Sequence, residues 1–486
     1  MQLNGLSRRR MMAGLGGVVA GASLPLRGGA TGFDGLHKEV AKTVRKIASG
    51  KPINLRLLLP NGSGGNLDPV IAEFQTLTGV KVISDETHVD EINTELTLGA
   101  LSNQQHYDVA LPATFGLPDL VASGTILPLS ELARKYEPPG FREGILYDVG
   151  DSFDGEIYGF QADGDAYVMF YNKAMMQAPS ARAQYEDRFG HALELPETWD
   201  DLDQQMAFFH NPGKGQFGGL LFRTQGYLAW EWWVRFHAKG LWPLAPDLTP
   251  QVASDAGLEA LEAMIRSQES LAPEATELGL FENWERFSKG DIYCNIGWGG
   301  SQKFFNDEHS AIRGNLVFGP TPGGFVDGQL LVAPYFNWGW NYVIAKNSAN
   351  AEIAYLFALF ASSPAMSTLA VRQDDGFFDP FRPEHYEDEG IKTAYSEPFL
   401  KVHRDSLEAA IPDLYLKDQA EYFRVLNEWL FRALAGDVSP EVALDRVAQR
   451  WTLIANRSDR KVQQERWSRL RDKYPPAARN LLRDLN

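Results

Sequence analysis

The chain has 486 residues, with 46 lysines and arginines against 63 aspartates and glutamates, and its formal net charge is -17. This acidity argues against nucleic acid as a partner, because neutralising phosphates requires a basic surface. The length suits two lobes, each with its own apolar core. The single cysteine, Cys294, excludes an intrachain disulfide and lies in an apolar run, so we interpret it as a buried thiol rather than a nucleophile.

The first 30 residues have the pattern of an export signal. Arg8, Arg9 and Arg10 precede a short apolar run over residues 13–24, and residues 20–22 (AGA) offer a small-residue cleavage site. A membrane anchor is the alternative, but about 20 apolar residues are needed to span a bilayer. We therefore predict a twin-arginine-type signal peptide over residues 1–30, cleaved near Ala22, and a periplasmic mature protein.

Helices and short strands alternate along the rest of the chain. A helix is predicted over residues 36–47 and a buried strand over 53–59, followed by a glycine-rich turn. The next helix is predicted to use Asp68 as its cap and Pro69 in its first turn, before a strand at 80–83. Asp154 and Gly155 indicate a hairpin turn that needs positive φ. This alternation predicts an α/β fold with mainly parallel sheets.

The C-terminal part is predicted to be helical. Phe423, Leu426, Leu430 and Leu434 recur at helical spacing, and Gly436 should end that helix. A further helix is predicted from Ser439 onward, and residues 457–486 should form a charged helical extension.

Several short motifs occur together in one order. Residues 107–109 (YDV) and 124–129 (GTILPL) come first, followed by 154–160 (DGEIYGF), 171–173 (YNK), 195–202 (LPETWDDL) and 439–448 (SPEVALDRVA). In this order the chain resembles the extracellular solute-binding proteins of ABC importers, in particular the sugar-binding family that includes maltodextrin binders. The chain is longer than is usual for that family, which leaves the substrate open.

The resemblance implies two α/β lobes joined by a hinge of crossing strands, with the ligand held between them. Lobe 1 is expected to comprise residues 51–162 and 320–366, and lobe 2 residues 163–319 and 367–456. The crossings are expected near residues 161–165, 314–324 and 364–372. The resemblance also implies delivery of a carbohydrate, a mono- or oligosaccharide, to the permease subunits of an ABC transporter. A monomer is expected.

Candidate ligand-binding residues follow predicted strands or lie near the crossings. Tryptophan faces stack on sugar rings, and carboxylates, amides and hydroxyls bind sugar hydroxyls. Each position also has a structural interpretation, as a turn, a hinge cap, a core residue or a surface ion pair. The candidates are Asn61, Ser63, Thr114, Asp163, Asp165, Gln225, Tyr227, Trp230, Trp298, Trp338, Trp340, Asp374 and Arg382.

Other functions remain as alternatives. A receptor of the same fold for a polyol, a polyamine or a phosphate ester is the nearest of them. A secreted carbohydrate-active enzyme is less well supported, because the sequence has no serine nucleophile elbow and no zinc-binding helix motif. We predict no catalytic residue, no metal site and no cofactor.

Overall fold

The computed structural model describes residue 33 and residues 35–89, 91–102 and 107–485. The predicted signal peptide lies outside these residues. Two sheets organise the molecule: one has five strands in the order β2-β1-β3-β13-β6, and the other has four in the order β10-β7-β9-β8. The strands are β1 (Asn54–Pro60), β2 (Lys81–Thr87), β3 (Val109–Ala110), β4 (Ser152–Phe153), β5 (Glu156–Ile157), β6 (Gly159–Gln161), β7 (Val168–Asn172), β8 (Phe217–Leu220), β9 (Ile292–Gly297), β10 (Leu316–Pro320), β11 (Gly324–Val326), β12 (Gln329–Leu331) and β13 (Asn341–Ile344).

Helices cover both sheets and form the C-terminal region. They are α1 (Leu36–Ala48), α2 (Gly64–Thr78), α3 (Ile92–Leu101), α4 (Leu117–Ala122), α5 (Ser130–Tyr136), α6 (Lys173–Gln177), α7 (Pro179–Phe189), α8 (Trp199–Phe209), α9 (Leu228–His237), α10 (Asp255–Ser267), α11 (Leu280–Phe287), α12 (Gly299–Asn306), α13 (Ala351–Ala361), α14 (Pro364–Val371), α15 (Pro383–Glu387), α16 (Glu389–Tyr395), α17 (Glu397–Glu408), α18 (Gln419–Leu434), α19 (Pro440–Ala455), α20 (Arg460–Lys473) and α21 (Pro476–Leu481).

The α/β prediction is confirmed, but both sheets are mixed rather than mainly parallel. β1 pairs in parallel with β2 and β3, whereas β13 is antiparallel to β3 and β6. In the second sheet, β8 is parallel to β9, while β7 is antiparallel to β9 and β10. The chain enters β7 from β6 of the other sheet, and it reaches β13 from β10 of the other sheet through the β11–β12 hairpin. Antiparallel pairing is thus found at the strands that follow a crossing.

Helix α2 begins five residues earlier than the sequence predicts. The expected cap was Asp68, with Pro69 in the first turn, but the helix begins at Gly64 and contains Pro69 in its interior. Glu86 lies on β2, the strand next to β1. Its side chain accepts hydrogen bonds from the N–H groups of Gly62 and Gly64 at 3.2 and 3.1 Å. A carboxylate from a neighbouring strand thus satisfies the helix terminus that the local sequence leaves open.

The chain passes between the two sheets where the sequence predicts the first two crossings. Residues 162–167 connect β6 to β7, and residues 321–340 connect β10 to β13. Around the third expected crossing, residues 364–372, the chain is helical instead of forming a strand: Pro364–Val371 is α14, with Pro364 in its first turn. Proline is favoured there because its missing N–H has no intrahelical partner to lose.

The C-terminal helices confirm their predicted starts and stops. Gly436 follows α18 with a φ of 78°, and the Ser439 side chain accepts the Val442 N–H at the start of α19. The predicted extension forms α20 and α21. Its Trp467 is fully buried and donates from Nε1 to the Leu244 carbonyl at 3.1 Å, with its ring 5.9 Å from Trp242. The extension is therefore packed into the core.

Replacement of Trp467 by alanine is expected to lower the free energy of unfolding by about 3–5 kcal/mol, because it removes a buried indole and leaves a cavity. Urea unfolding followed by circular dichroism measures the change. Leu453→Ala is the matched control, since Leu453 is 54% exposed on α19. If both variants lose the same small amount, α20 is an appendage and not part of the cooperative fold.

No single helix among the described residues has the length and apolar character needed to cross a membrane, although α13 and α14, bent by 69° at their break, reach that length together.

Candidate functional site

A partly open cavity lies where elements of the two sheets meet, with about 20 Å³ of space for the centre of a water-sized sphere. Val89 follows β2 of the five-stranded sheet, and Trp298 follows β9 of the four-stranded sheet. Loops at the carboxyl ends of strands from both sheets thus converge on one space, which is the usual place for a ligand in α/β proteins. The lining residues are Val89, Asp165, Leu280, Trp284, Trp298, Gly300, Trp338, Trp340 and Phe377.

Aromatic rings form most of the cavity wall. Trp338 lies at its centre, with its ring 5.6 Å from Trp298 and 5.9 Å from Trp340. Trp340 in turn lies 6.0 Å from Phe377. Trp298 and Trp338 meet edge to face at 88°, an arrangement that favours attraction between rings and fixes their orientation. Rigid flat faces of this kind offer stacking surfaces to a ligand.

Two indole N–H groups of the wall have no hydrogen-bond partner. Nε1 of Trp284 and Nε1 of Trp338 are buried and unpaired, whereas Nε1 of Trp298 donates to Asn337 Oδ1 at 2.8 Å. A buried donor without an acceptor costs free energy, about 1–3 kcal/mol in proteins. Both residues line the cavity, so an acceptor atom on a bound molecule would satisfy them.

Three carboxyl groups converge at one side of the cavity. Asp163, Asp165 and Asp379 are all buried, and one oxygen of each lies within 4.8 Å of the others. Asp163 Oδ1 accepts the Asp379 N–H at 2.6 Å, and Asp165 Oδ2 accepts the Gly339 N–H at 3.1 Å. This is the only group of the described residues with the spacing to hold a metal ion. Its three ligands fall short of the six to eight oxygens that Ca²⁺ prefers.

The three carboxyls are not fully compensated by positive charge. Burial raises the pKa of Asp163 well above its ordinary value, and the negative charge of Asp379 adds to this effect. Burial and the charges of Asp163 and Asp379 also raise the pKa of Asp165 well above its ordinary value. Burial raises the pKa of Asp379 to about 6, opposed by Lys303. The Lys303 ammonium donates to the carbonyls of Gln373 and Phe378, and burial lowers its pKa to about 8. One ammonium thus faces three acids.

The structure brings seven of the sequence candidates together at this cavity. Four of them line it: Asp165, Trp298, Trp338 and Trp340. The ring of Trp230 lies 5.1 Å from Trp338, and that of Tyr227 lies 5.8 Å from Trp338, so both pack behind the wall. Asp163 lies beside Asp165 in the carboxyl group. Trp298 is almost fully buried, and its ring contributes to the cavity wall.

Thr114, Asn61 and Ser63 have structural partners. Thr114 donates to Asn341 Oδ1 at 2.6 Å, and its own N–H binds the carbonyls of Trp338 and Gly339, which positions the wall from behind. Ser63 donates to the Pro60 carbonyl at 2.8 Å in the turn before α2, and the Asn61 N–H donates to the Thr87 carbonyl.

The remaining candidates lie away from the cavity lining. Gln225 and Asp374 are exposed. Arg382 is buried, but its guanidinium donates to the Ser362 carbonyl at 3.2 Å and to the Phe141 carbonyl at 3.5 Å. A charged group held by main-chain carbonyls in the core stabilises the packing of its loop.

Sequence reasoning missed Trp284, Phe377 and Asp379. Trp284 lies in α11, where its helical spacing is typical of an ordinary core residue. Phe377 and Asp379 follow Asp374 in the same loop, where the adjacent acids Asp374 and Asp375 are the more conspicuous polar pair. The combination Gly376-Phe377-Phe378-Asp379 offered a signal: one carboxylate among aromatic residues beside a glycine indicates a buried polar site.

Replacement of Trp338 by phenylalanine removes one unpaired donor and keeps an aromatic ring in place. We expect ligand affinity to fall about tenfold, because one buried hydrogen bond contributes about 1 kcal/mol or somewhat more. The free energy of unfolding should fall by about 1–2 kcal/mol, because Trp338 is buried and the smaller ring leaves part of its space empty, while the lost N–H has no partner in the free protein. Isothermal titration calorimetry measures the first quantity and urea unfolding the second.

Trp429→Phe is the control for that experiment, because Trp429 lies on α18, away from the cavity lining. If both variants bind ligand as tightly as the unmodified protein does, the Trp338 indole makes no hydrogen bond to ligand.

Comparison with known proteins matches this architecture. The family described as bacterial extracellular solute-binding protein matches residues 70–396. Among solved structures, a solute-binding protein of an ABC transporter from Agrobacterium radiobacter K84 in complex with ribitol is 20% identical, with a TM-score of 0.69; the match covers 83% of this chain and 100% of that one.

Two further structures show the same similarity. Maltose-bound MalE3 of T. maritima is 17% identical, with a TM-score of 0.69, and the match covers 83% of this chain and 100% of that one. A solute-binding protein of an ABC transporter from Thermotoga lettingae TMO bound with α-D-tagatose is 18% identical, with a TM-score of 0.70; the match covers 83% of this chain and 99% of that one. These similarities establish the two-lobed fold of periplasmic binding proteins.

Proposed function

The chain belongs to the bacterial extracellular solute-binding proteins, and we propose that it binds a sugar or polyol in the tryptophan-lined cavity and delivers it to the permease of an ABC importer. The observation that carries this proposal is the composition of the wall. Four tryptophans offer flat apolar faces, two of them carry unpaired N–H donors, and Asp165 supplies a carboxyl group. Sugars and polyols present C–H faces for stacking and hydroxyls that both accept and donate hydrogen bonds.

The cavity is narrow in this structure, with about 20 Å³ of space for the centre of a water-sized sphere. A sugar or polyol needs more space than this, so we propose that binding requires the walls of the cavity to move apart. The proteins of similar fold bind ribitol, tagatose and maltose, which supports a hydroxylated small molecule here.

Transport is proposed to use closure of two lobes, residues 51–162 with 320–366 and residues 163–319 with 367–456. The cavity receives residues from both of these segments, so ligand contacts would favour the closed state. The basic start and apolar run of the first 30 residues support export through the twin-arginine route to the periplasm, with cleavage near Ala22. We propose that the protein acts as a monomer and leaves the bonds of its ligand intact.

A polyamine receptor is the second candidate, because three buried carboxyls lie at the cavity. A phosphate ester has less support. Its oxygens would require arginines, and the described lining residues include neither arginine nor lysine.

The test is a thermal-shift screen followed by calorimetry on the mature protein. The panel contains ribitol, D-mannitol, D-tagatose, maltose, spermidine and glycerol 3-phosphate. A sugar or polyol should raise the melting temperature, because ligand binds only the folded protein. Mass spectrometry should recover the ligand unchanged. Spermidine as the only binder would replace the carbohydrate proposal by the polyamine one, and a cleaved ligand would indicate an enzyme.

A further inference from the structure

Acidic groups outnumber basic groups around the cavity. Asp165 is the only ionisable side chain in the described lining, and Asp163 and Asp379 lie close to it. The groups around these acids offer one positive charge. Lys303 supplies it, but its ammonium is directed to the Gln373 and Phe378 carbonyls.

The other polar neighbours of the acids are neutral near pH 7. Nε2 of His403 donates to the Gly164 carbonyl, Nδ1 accepts from the Tyr386 hydroxyl, and burial lowers the pKa of His403 to about 4. The Tyr395 hydroxyl donates to Asp379 Oδ1 at 2.9 Å, and burial raises its pKa. Oδ2 of Asp163 is buried and has no hydrogen-bond partner at all. A donor group of a ligand would satisfy this oxygen.

The aromatic wall suits a positive group as well. The face of an aromatic ring attracts cations, tryptophan most strongly, by about 0.5–2 kcal/mol per contact. Trp298, Trp338 and Trp340 line the same cavity as Asp165. The net charge of -17 adds a long-range field that concentrates cations near the protein.

We infer that the ligand is a hexosamine, a sugar ring whose protonated amino group lies against Asp165 and the tryptophan faces while its hydroxyls accept from Trp284 and Trp338. This inference rests on the proposed function, and it specifies the class of sugar. A neutral sugar satisfies the two indole donors equally well but leaves the three acids to share protons. An ammonium group donates to carboxyl oxygens directly and allows these acids to ionise.

Calorimetry with three matched pairs tests the inference. The pairs are D-glucosamine with D-glucose, D-galactosamine with D-galactose and D-mannosamine with D-mannose, measured at about pH 6.5, where the amines are protonated. In at least one pair the hexosamine should bind about tenfold more tightly than its hexose or better. Its affinity should also rise from about pH 5 to about pH 6.5, since the ammonium favours the deprotonated carboxyls while its own charge stays constant.

A charge-neutral variant separates the effect of Asp165 from nonspecific binding of cations to the protein. Asp165→Asn should remove most of the preference for the hexosamine and flatten its pH dependence. Asp187→Asn, at an exposed position of α7, is the matched control and should keep both.

Each outcome distinguishes the inference from the proposed function. A hexose that binds as tightly as its hexosamine overturns the inference and leaves carbohydrate binding intact. If a neutral polyol or sugar of the earlier panel binds and no hexosamine does, the inference also fails alone. If nothing in either set binds, or only spermidine does, both fail.

Discussion

Replacement of Asp165 by asparagine is expected to weaken ligand binding by about tenfold to hundredfold and to make the ligand-free protein more stable at neutral pH. The binding loss follows from the position of Asp165 as the only side chain of the described lining that can ionise against a ligand ammonium group. A hydrogen bond to a charged group contributes about 1.5–3 kcal/mol. The amide of asparagine has nearly the shape of a carboxyl group and still accepts the Gly339 N–H, so the wall should keep its geometry.

The gain in stability follows from the raised pKa of Asp165. Burial and two neighbouring acids raise it well above the ordinary value of about 3.9 that the unfolded chain has. Between these two pKa values the folded protein binds a proton that the unfolded protein has released. Stability of the unmodified protein therefore falls as pH rises through this window, by up to about 1.4 kcal/mol per pH unit. Asparagine does not titrate, so it removes this penalty.

Urea unfolding of both proteins at about pH 5 and about pH 7 measures the effect, since the window begins near pH 4. The difference in stability, variant minus unmodified, should be larger at the higher pH. Asp187→Asn, which changes an exposed carboxylate, should show no such trend. A constant difference at both pH values would mean that Asp165 is ionised in the free protein and its charge is compensated there.

Local sequence patterns predict most of the framework of this fold because they report on local physics. The Thr198 side chain and Asp201 form a reciprocal capping box at α8, within the motif that suggested the family. Asp154 and Gly155 take positive φ in the β4–β5 turn, as the hairpin signal requires. In each case the atoms that decide the structure are within a few residues of one another.

The site is less predictable because its parts come from distant segments. Asp163 and Asp379 are 216 residues apart, yet the main-chain N–H of Asp379 donates to the carboxyl group of Asp163. Asp374 and Asp379 show the same difficulty. Asp374 was a candidate from the sequence but is exposed, whereas Asp379 is buried near the cavity and only its aromatic neighbours in the sequence indicated this. Whether an acid faces a cavity or solvent depends on packing between segments, which no short pattern encodes.

Gly164 is the position where this packing between distant segments is tightest. It lies between Asp163 and Asp165, and a Cβ added there would lie 2.1 Å from the Pro380 carbonyl oxygen and 2.8 Å from its carbon. Real Cβ atoms do not approach main-chain atoms so closely, and the obstacle is backbone, which cannot rotate away as a side chain would. Glycine thus allows the loop that carries Phe377 and Asp379 to approach the segment that carries Asp165.

Gly164→Ala is therefore expected to lower the free energy of unfolding by at least about 1–3 kcal/mol, the usual cost of overpacking, and to reduce ligand affinity by more than tenfold. Relief of the clash moves Asp379 and Phe377 away, which breaks the 2.6 Å bond from the Asp379 N–H to Asp163 and opens the cavity wall. Gly213→Ala is the matched control: Gly213 is exposed, and a Cβ added there would meet nothing closer than 3.6 Å. Binding that survives in Gly164→Ala would show that the loop at 374–381 takes no part in holding the ligand.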